Sequence, residues 1–297
     1  MNFKQYFEEA NIQRLTSQEE QQVSNITDHV WFKIKPLKSE EIEKLKNDPD
    51  TLDYENNPMT LVGKISYVRR DLKTAKAKNK VLEVYINWGE NKAAMASFVP
   101  HHNPSLDYIE LNYKILNDVD SKFRLKALLN HEVIHAVQHY RKSSEKYQEV
   151  SQKPADEMQF YDWVDYYSEP MEKEAVFSEM DSYIRSQYNA LLPSSKNNKG
   201  LNEYLNRNRE TYLLELKLFV TTPLENYIIN KELPLPSALQ QFDWFLTVLL
   251  RRTQRLSKIE IYPEVEKKLT ALKKELKRKL LFVYNDLQNK ESKLDNT

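Results

Sequence analysis

Strand-forming and helix-forming segments occupy separate parts of this chain, and their order restricts the folds it can adopt. Short runs rich in β-branched and aromatic residues occur at 61–70, 81–88, 93–99 and 108–111. Apolar and polar residues alternate in the second run as in a half-buried strand, with apolar residues at Leu82, Val84, Ile86 and Trp88. After residue 111 the periodicity is helical instead. Strands followed by helices predict an α+β fold.

The helical sequence on either side of the strands divides the chain into three predicted regions. A polar helical region comprises residues 1–58, a domain with the strands and the helices after them comprises 59–190, and a second helical region comprises 200–297. The stretch 193–200 is rich in turn-forming residues and is the predicted linker. The last region ends in a long amphipathic helix, whose apolar stripe consists of Val265, Leu269, Leu272, Leu276, Leu280, Tyr284 and Leu287.

The composition excludes several classes of site. The 297 residues are enough to bury a sizeable core, and they include no cysteine. Disulfides, thiolate metal sites and cysteine nucleophiles are therefore excluded, so any metal must be held by His, Asp or Glu. Lys and Arg (44) balance Asp and Glu (44), so the whole molecule has no net field that attracts nucleic acid.

The N-terminal sequence contains no apolar segment of signal-peptide length. No stretch approaches the roughly 18 consecutive apolar residues that indicate a transmembrane helix. We therefore expect a soluble, cytoplasmic protein without a transmembrane segment. Packaging in a virion and leaderless export stay open as alternatives, and the oligomeric state has no signature in the sequence.

The segment from His131 to His135 has the pattern His-Glu-x-x-His in helical, apolar surroundings. Residues four apart on a helix lie one above the other, with β-carbons about 5–6 Å apart, so both imidazoles can bind one ion. Glu132 lies about 100° around the helix from His131, where its carboxylate can reach a metal-bound water without binding the metal. A lone histidine would be interpreted as a core residue. Two histidines at this spacing, with the glutamate between them, predict a zinc site on a buried helix.

A catalytic zinc site usually has three protein ligands and a water, so a third ligand is expected elsewhere. His139 is a poor candidate because it lies about 12 Å along the helix axis from His131, and it is better explained as a helix-end or supporting residue. The segment that begins at Pro170 offers Glu172 and Glu174 near the start of another helix. Glu172 is preferred because it lies at the edge of that helix's apolar arc. Both glutamates could instead be favourable charges at a helix N-terminus.

These residues resemble the zinc-binding pattern of gluzincin-type metallopeptidases. The segment His131-Glu132-x-x-His135 is followed by Glu172-x-x-Ala175, which is similar to the E-x-x-A third-ligand motif of several gluzincin families. The larger pattern, with a proline two residues before the first glutamate and a second glutamate before the alanine, resembles small bacterial and phage-type members. The resemblance covers about residues 107–185, and Val176 replaces the aspartate that often follows E-x-x-A.

The resemblance implies a zincin-like fold, in which a short mixed sheet packs on the HExxH helix, and a zinc-dependent peptidase activity. In such folds a strand ahead of the motif helix binds the substrate backbone by edge pairing, and residues 108–112 are in the corresponding place. His131, His135 and Glu172 would hold Zn²⁺. Glu132 would act as general base toward a peptide or protein substrate. Candidates for stabilising the oxyanion, which the sequence does not rank, are Tyr166, Tyr167 and Tyr183.

Two alternatives come from other classes of protein. Metal could stabilise a catalytically silent scaffold whose helical C-terminal region binds a partner. The C-terminal helix could also bind nucleic acid or a membrane surface, but its interspersed glutamates and the neutral total charge favour an ordinary solvated face. The basic residues concerned are Lys267, Lys268, Lys273, Lys274, Lys277, Arg278 and Lys279.

Overall fold

The computed structural model describes residues 14–48, 51–54, 57–70, 77–89, 96–100, 107–116, 118–141, 158–193, 198–223, 235–251 and 262–294. These residues form two compact units, one within 14–157 and the other within 158–297. A β-sheet and helices make up the described part of the first unit, and helices make up that of the second. The predicted α+β class is therefore confirmed, while the predicted boundaries of the three regions stay a prediction.

Two helices open the first unit. Helix α1 is Ser17–His29 and continues as a π-helical turn at Val30–Ile34, and helix α2 is Ser39–Lys46. A capping box starts α1: the Thr16 hydroxyl accepts from the Glu19 backbone N–H at 3.3 Å, and the Glu19 carboxylate accepts from the Thr16 N–H at 2.7 Å. These helices agree with the helical region predicted for 1–58, of which residues 1–13 lie outside the described part.

A five-stranded mixed sheet follows in the same unit. Its strands are β1 Leu52–Tyr54, β2 Asn57–Arg70, β3 Ala77–Asn87, β4 Ala96–Val99 and β5 Tyr108–Asn112. They are ordered β1-β2-β3-β5-β4 in space, with β3 and β5 parallel and the other neighbours antiparallel. The four predicted strands are confirmed as β2 to β5, with bounds that differ by a few residues.

Strand β1 shows that the prediction of helix up to residue 58 is wrong at its end. The strand pairs with the start of β2 in a tight hairpin, with Leu52 opposite Met59 and Tyr54 opposite Asn57. Three residues are too few to show the two-residue alternation of a strand. The conformation of β1 therefore depends on its partner strand rather than on a local sequence pattern.

The strand order also contradicts the expectation that residues 108–112 form the substrate-binding edge. Strand β5 lies inside the sheet, between β3 and β4. Both of its edges are therefore engaged in backbone pairing. The outermost described strand on that side is β4, so among the described strands it is the outer edge of β4 that an added peptide would reach.

Helix α4, Lys122–Arg141, packs against the sheet and carries both histidines of the motif. It contacts β2, β4 and α1, and a short helix α3, Tyr113–Leu116, precedes it. The core of this unit includes the fully buried strand residues Leu82, Val84, Ile86, Ile109 and Leu111. The sheet thus gives α4 an apolar surface on which to pack.

The second unit consists of helices in its described part. They are α5 Phe160–Ser168, α6 Pro170–Ala190, α7 Lys199–Thr221, α8 Ser237–Gln240, α9 Asp243–Leu246 with a π-helical turn at Thr247–Arg251, and α10 Pro263–Leu294. The predicted stripe of α10 is buried from Leu269 to Leu287. Residues 194–197 of the predicted linker lie outside the described part. Across both units, no described helix combines the length and apolarity needed to cross a bilayer.

Candidate metal centre

Helix α4 begins at a hydrogen-bonded cap and passes through the interior of the first unit. The Ser121 hydroxyl accepts a hydrogen bond from the Arg124 backbone N–H at 3.2 Å, which satisfies one donor of the first turn. Apolar side chains are buried on several sides of the helix, at Leu125, Ala127, Leu129, Val133, Ile134 and Ala136. The predicted buried helix is therefore confirmed, and the polar groups in its centre need partners.

His131 and His135 direct their Nε2 atoms toward one another. The two Nε2 atoms are 3.0 Å apart, and the ring planes cross at 75°. Two nitrogens bound to one tetrahedral zinc ion at about 2.0–2.1 Å are about 3.3 Å apart. The pair therefore needs to open only slightly to bind an ion, and without metal the same distance allows one imidazole to donate a hydrogen bond to the other.

The other ring nitrogen of His135 faces an amide on the same helix. His135 Nδ1 lies 3.3 Å from the Gln138 side-chain oxygen, and Gln138 is buried. A neutral amide oxygen can only accept a hydrogen bond, so this contact favours the tautomer with the proton on Nδ1.

Glu132 is buried beside the outer strand of the sheet. Its Oε2 atom accepts a hydrogen bond from the Phe98 backbone N–H at 2.7 Å. Because the Phe98 N–H donates to a side chain of α4, it points away from β5, at the outer edge of β4. The carboxylate next to the first histidine is thus held at the outer edge of β4, the outermost described strand on this side of the sheet.

Glu172 and Glu174 differ in their surroundings. Helix α6 begins at Pro170, so both glutamates lie near its N-terminus. Glu172 is only 8% exposed, whereas Glu174 is exposed to solvent. A buried carboxylate needs a cation or hydrogen-bond donors. A favourable charge on the exposed N-terminus of a helix is therefore a poor explanation of Glu172.

His131 and His135 in the first unit and Glu172 in the second have side chains of the kinds that hold a metal ion. Two imidazoles and one carboxylate suit zinc and leave a tetrahedral ion one position for water. The sequence predicts these same three residues as the metal ligands, and all three lie in the described part of the chain. The side chain of His139 lies outside that part.

The three tyrosines considered for the oxyanion lie in the second unit. Tyr183 is buried about three turns along α6 from Glu172, and its hydroxyl accepts a hydrogen bond from the Gln187 amide at 2.6 Å. These contacts assign Tyr183 to the core of that unit. Tyr166 and Tyr167 are half-buried at the end of α5 and pack on Trp163, with ring centroids 5.9 and 5.8 Å from it.

The basic residues of α10 make contacts within their own unit. Lys268 pairs with Asp165 at 2.7 Å. Lys279 is buried, and this burial lowers the pKa of its ammonium group. The helix is therefore partly engaged in packing and ion pairs, which favours the ordinary helix face over a dedicated nucleic-acid or membrane surface.

Comparison with family models, with curated proteins and with solved structures gives no match for this chain. Its function must therefore be inferred from the chemistry of the site.

Two contacts of the site were missed by sequence reasoning. The Gln138 contact could have been found, because a polar residue three positions after a histidine on an apolar helix lies within reach of its ring. The Phe98 contact uses a backbone N–H, which every residue except proline carries, so no side-chain pattern marks it.

Proposed function

We propose that this chain is a zinc-dependent metallopeptidase with a zincin-like arrangement of sheet and motif helix, in which His131, His135 and Glu172 hold the metal. The observation that carries the proposal is the approach of the His131 and His135 Nε2 atoms, 3.0 Å apart on a helix that also carries the buried Glu132. Zinc bound there would lower the pKa of a water toward about 7 and polarise the carbonyl of a peptide bond.

Glu132 would act as the general base and acid. Its carboxylate would accept a proton from the attacking water and donate it to the leaving amine. The backbone N–H of Phe98, at 2.7 Å, would hold one oxygen and leave the other to exchange the proton. A fixed carboxylate loses less conformational entropy in the reaction than a mobile one.

Strand β4 would bind the substrate backbone. Its outer edge presents the peptide groups that do not pair with β5, and Glu132 lies against this edge. A peptide added to β4 as a further strand would therefore run past the general base. Backbone pairing alone is tolerant of sequence, so this edge suits a peptide or protein substrate in general.

The metal is tested first. Protein purified without added metal should contain one zinc per chain by X-ray fluorescence, or bind one on titration. The variant His131→Ala/His135→Ala should bind none. A wild-type chain that neither contains nor takes up zinc would overturn the proposal.

The general base is tested by Glu132→Gln. This variant should retain zinc but digest a peptide library at least about 100-fold more slowly, which is the lower range for loss of a proton-transferring group. If the variant digests as fast as wild type, Glu132 is not the base. If wild type binds zinc in full yet digests nothing, the catalytically silent scaffold is the better account.

The third ligand is tested by a matched pair of variants on one helix turn. Glu172→Gln should weaken zinc binding by more than the about 10- to 100-fold that loss of a supporting residue causes. Glu174→Gln, with an exposed carboxylate removed, should bind zinc as wild type does. The opposite order would assign the ligand to Glu174.

A further inference from the structure

We propose that Gln138 is the positioning residue of the metal site: its amide oxygen holds the Nδ1–H of His135 and so directs the Nε2 lone pair of that ring toward the metal. This inference rests on the proposed zinc site. It adds a residue that the His-Glu-x-x-His pattern does not include, supplied by the motif helix itself.

The geometry places Gln138 correctly for this role. It follows His135 by three residues on α4, so the two side chains lie on one face of the helix. The Gln138 oxygen is 3.3 Å from Nδ1, while Nε2 on the far side of the ring is 3.0 Å from His131 Nε2. Gln138 is 3% exposed, so water cannot readily replace its amide as the acceptor.

The chemistry follows from the two tautomers of a neutral imidazole. A proton on Nδ1 leaves a lone pair on Nε2, and a proton on Nε2 would block the atom that faces His131. An acceptor at Nδ1 selects the first tautomer and fixes the ring plane, as supporting residues of metal sites do. Gln138 therefore prepares His135 to bind metal before any metal arrives.

The neutral amide also sets the charge of the site. Two neutral imidazoles and the Glu172 carboxylate would leave one positive charge on a bound divalent ion. An amide supports His135 without cancelling the remaining positive charge, and that charge favours ionisation of a bound water.

Two substitutions separate the role of the acceptor from that of packing. Gln138→Leu keeps the approximate volume and removes the acceptor, and Gln138→Glu keeps an acceptor of similar shape. Competition with a chromophoric chelator should give zinc binding about 10- to 100-fold weaker for Gln138→Leu, which is typical for loss of a supporting residue. Gln138→Glu should bind zinc at least as tightly as wild type, because the carboxylate is a stronger acceptor.

A matched control is available in the same unit. The Gln22 side-chain oxygen accepts a hydrogen bond from the Ser66 backbone N–H at 2.9 Å. Gln22→Leu therefore also removes a glutamine acceptor, but one that contacts neither histidine. It should leave zinc affinity unchanged. Equal weakening by Gln22→Leu and Gln138→Leu would show a general loss of stability and would overturn the proposal.

A second measurement distinguishes failure of this inference from failure of the proposed function. In metal-free protein labelled with ¹⁵N-histidine, at a pH where imidazoles are neutral, His135 should carry its proton on Nδ1, and Gln138→Leu should shift it toward Nε2. A wild-type His135 with the proton on Nε2 would overturn the role of Gln138. The predicted tautomer in a chain that binds no zinc would retain the positioning contact and overturn the zinc site alone.

Discussion

Gly63 lies where strand β2 passes beneath helix α1, and replacing it by alanine should destabilise the first unit. The register of β2 against β3 shifts between Leu61 and Gly63, which marks a bulge. A Cβ atom at Gly63 would lie 2.5 Å from Cγ1 and 2.8 Å from Cδ1 of Ile26, which is buried on α1. Carbon atoms normally approach to about 3.5–4.0 Å, so the added methyl overlaps both atoms by roughly 1 Å.

The expected cost follows from that overlap. Overpacking a core by one methyl typically costs about 1–3 kcal/mol. Alanine also restricts the unfolded chain, which returns about 0.4–1 kcal/mol. Gly63→Ala should therefore lower the free energy of unfolding by about 1–2 kcal/mol.

The partner variants at Ile26 separate the two overlaps. Ile26→Val removes Cδ1 but keeps Cγ1, so most of the cost of Gly63→Ala should persist in that background. Ile26→Ala removes both atoms and is itself costly by about 2–5 kcal/mol. In the Ile26→Ala background, the further change at Gly63 should cost less by about 1–2 kcal/mol, because the clash is gone and the methyl fills part of the cavity.

Hydrogen exchange in urea, followed by mass spectrometry of peptides within 57–70 and 77–87, measures this unit separately from the helical one. A global unfolding signal would mix the two units. The reasoning would be refuted if Gly63→Ala cost the same in the wild-type and Ile26→Ala backgrounds, because the loss would then have no connection with Ile26.

Two further predictions concern pH and the outer strand. Burial raises the pKa of Glu291, but hydrogen bonds from Arg209 and Tyr188 outweigh this effect, so the pKa lies below 4.5. The Arg209 Nε atom is 2.6 and 2.7 Å from the two carboxylate oxygens. A depressed folded pKa stabilises the protein above the unfolded pKa, and this stabilisation is lost as pH falls through the folded pKa. Hydrogen exchange in urea, followed in peptides within 199–221 and 263–294, should therefore show wild-type stability falling more steeply below pH 4.5 than that of Glu291→Gln, which is about 2 kcal/mol less stable at neutral pH. Parallel curves for the two proteins would contradict this. Phe98→Pro removes the N–H that holds Glu132 and should slow peptide hydrolysis about 10- to 100-fold with zinc content unchanged. The control Phe98→Leu keeps the N–H and should keep most of the activity. Equal losses of activity in the two variants would count against the contact.

The strands and the buried helix could be predicted because each has a local signal. Strand β3 alternates with a period of two from Leu82 to Asn87, and α4 has apolar residues around a pair of histidines spaced by one helical turn. The pairing of the strands has no such signal. Residues 108–112 have the composition of an edge or a central strand equally well, and their central place depends on β4 joining from the other side.

The residues of the candidate site that lie on one helix could be predicted from the sequence, and the contacts with other elements could not. The spacing of His131 and His135 fixes the relation of their rings wherever the helix packs. The choice between Glu172 and Glu174 concerns a second helix, whose sequence pattern could only rank them, and the burial of Glu172 favours it over the exposed Glu174. The Phe98 N–H lies on a separate strand and becomes a partner of Glu132 only through tertiary packing.

The centre of α4 is poorly explained as a purely structural element. Leucine or alanine at positions 131, 132 and 138 would suit a helix buried on several sides, and each polar group there risks about 1–3 kcal/mol if its partner is lost. Yet each of these polar groups has a partner: two ring nitrogens meet, an amide lies at one ring, and a strand N–H holds the Glu132 carboxylate. Stability alone gives no reason to place these polar groups in so apolar a helix, whereas the metal site and general base that we propose would require them.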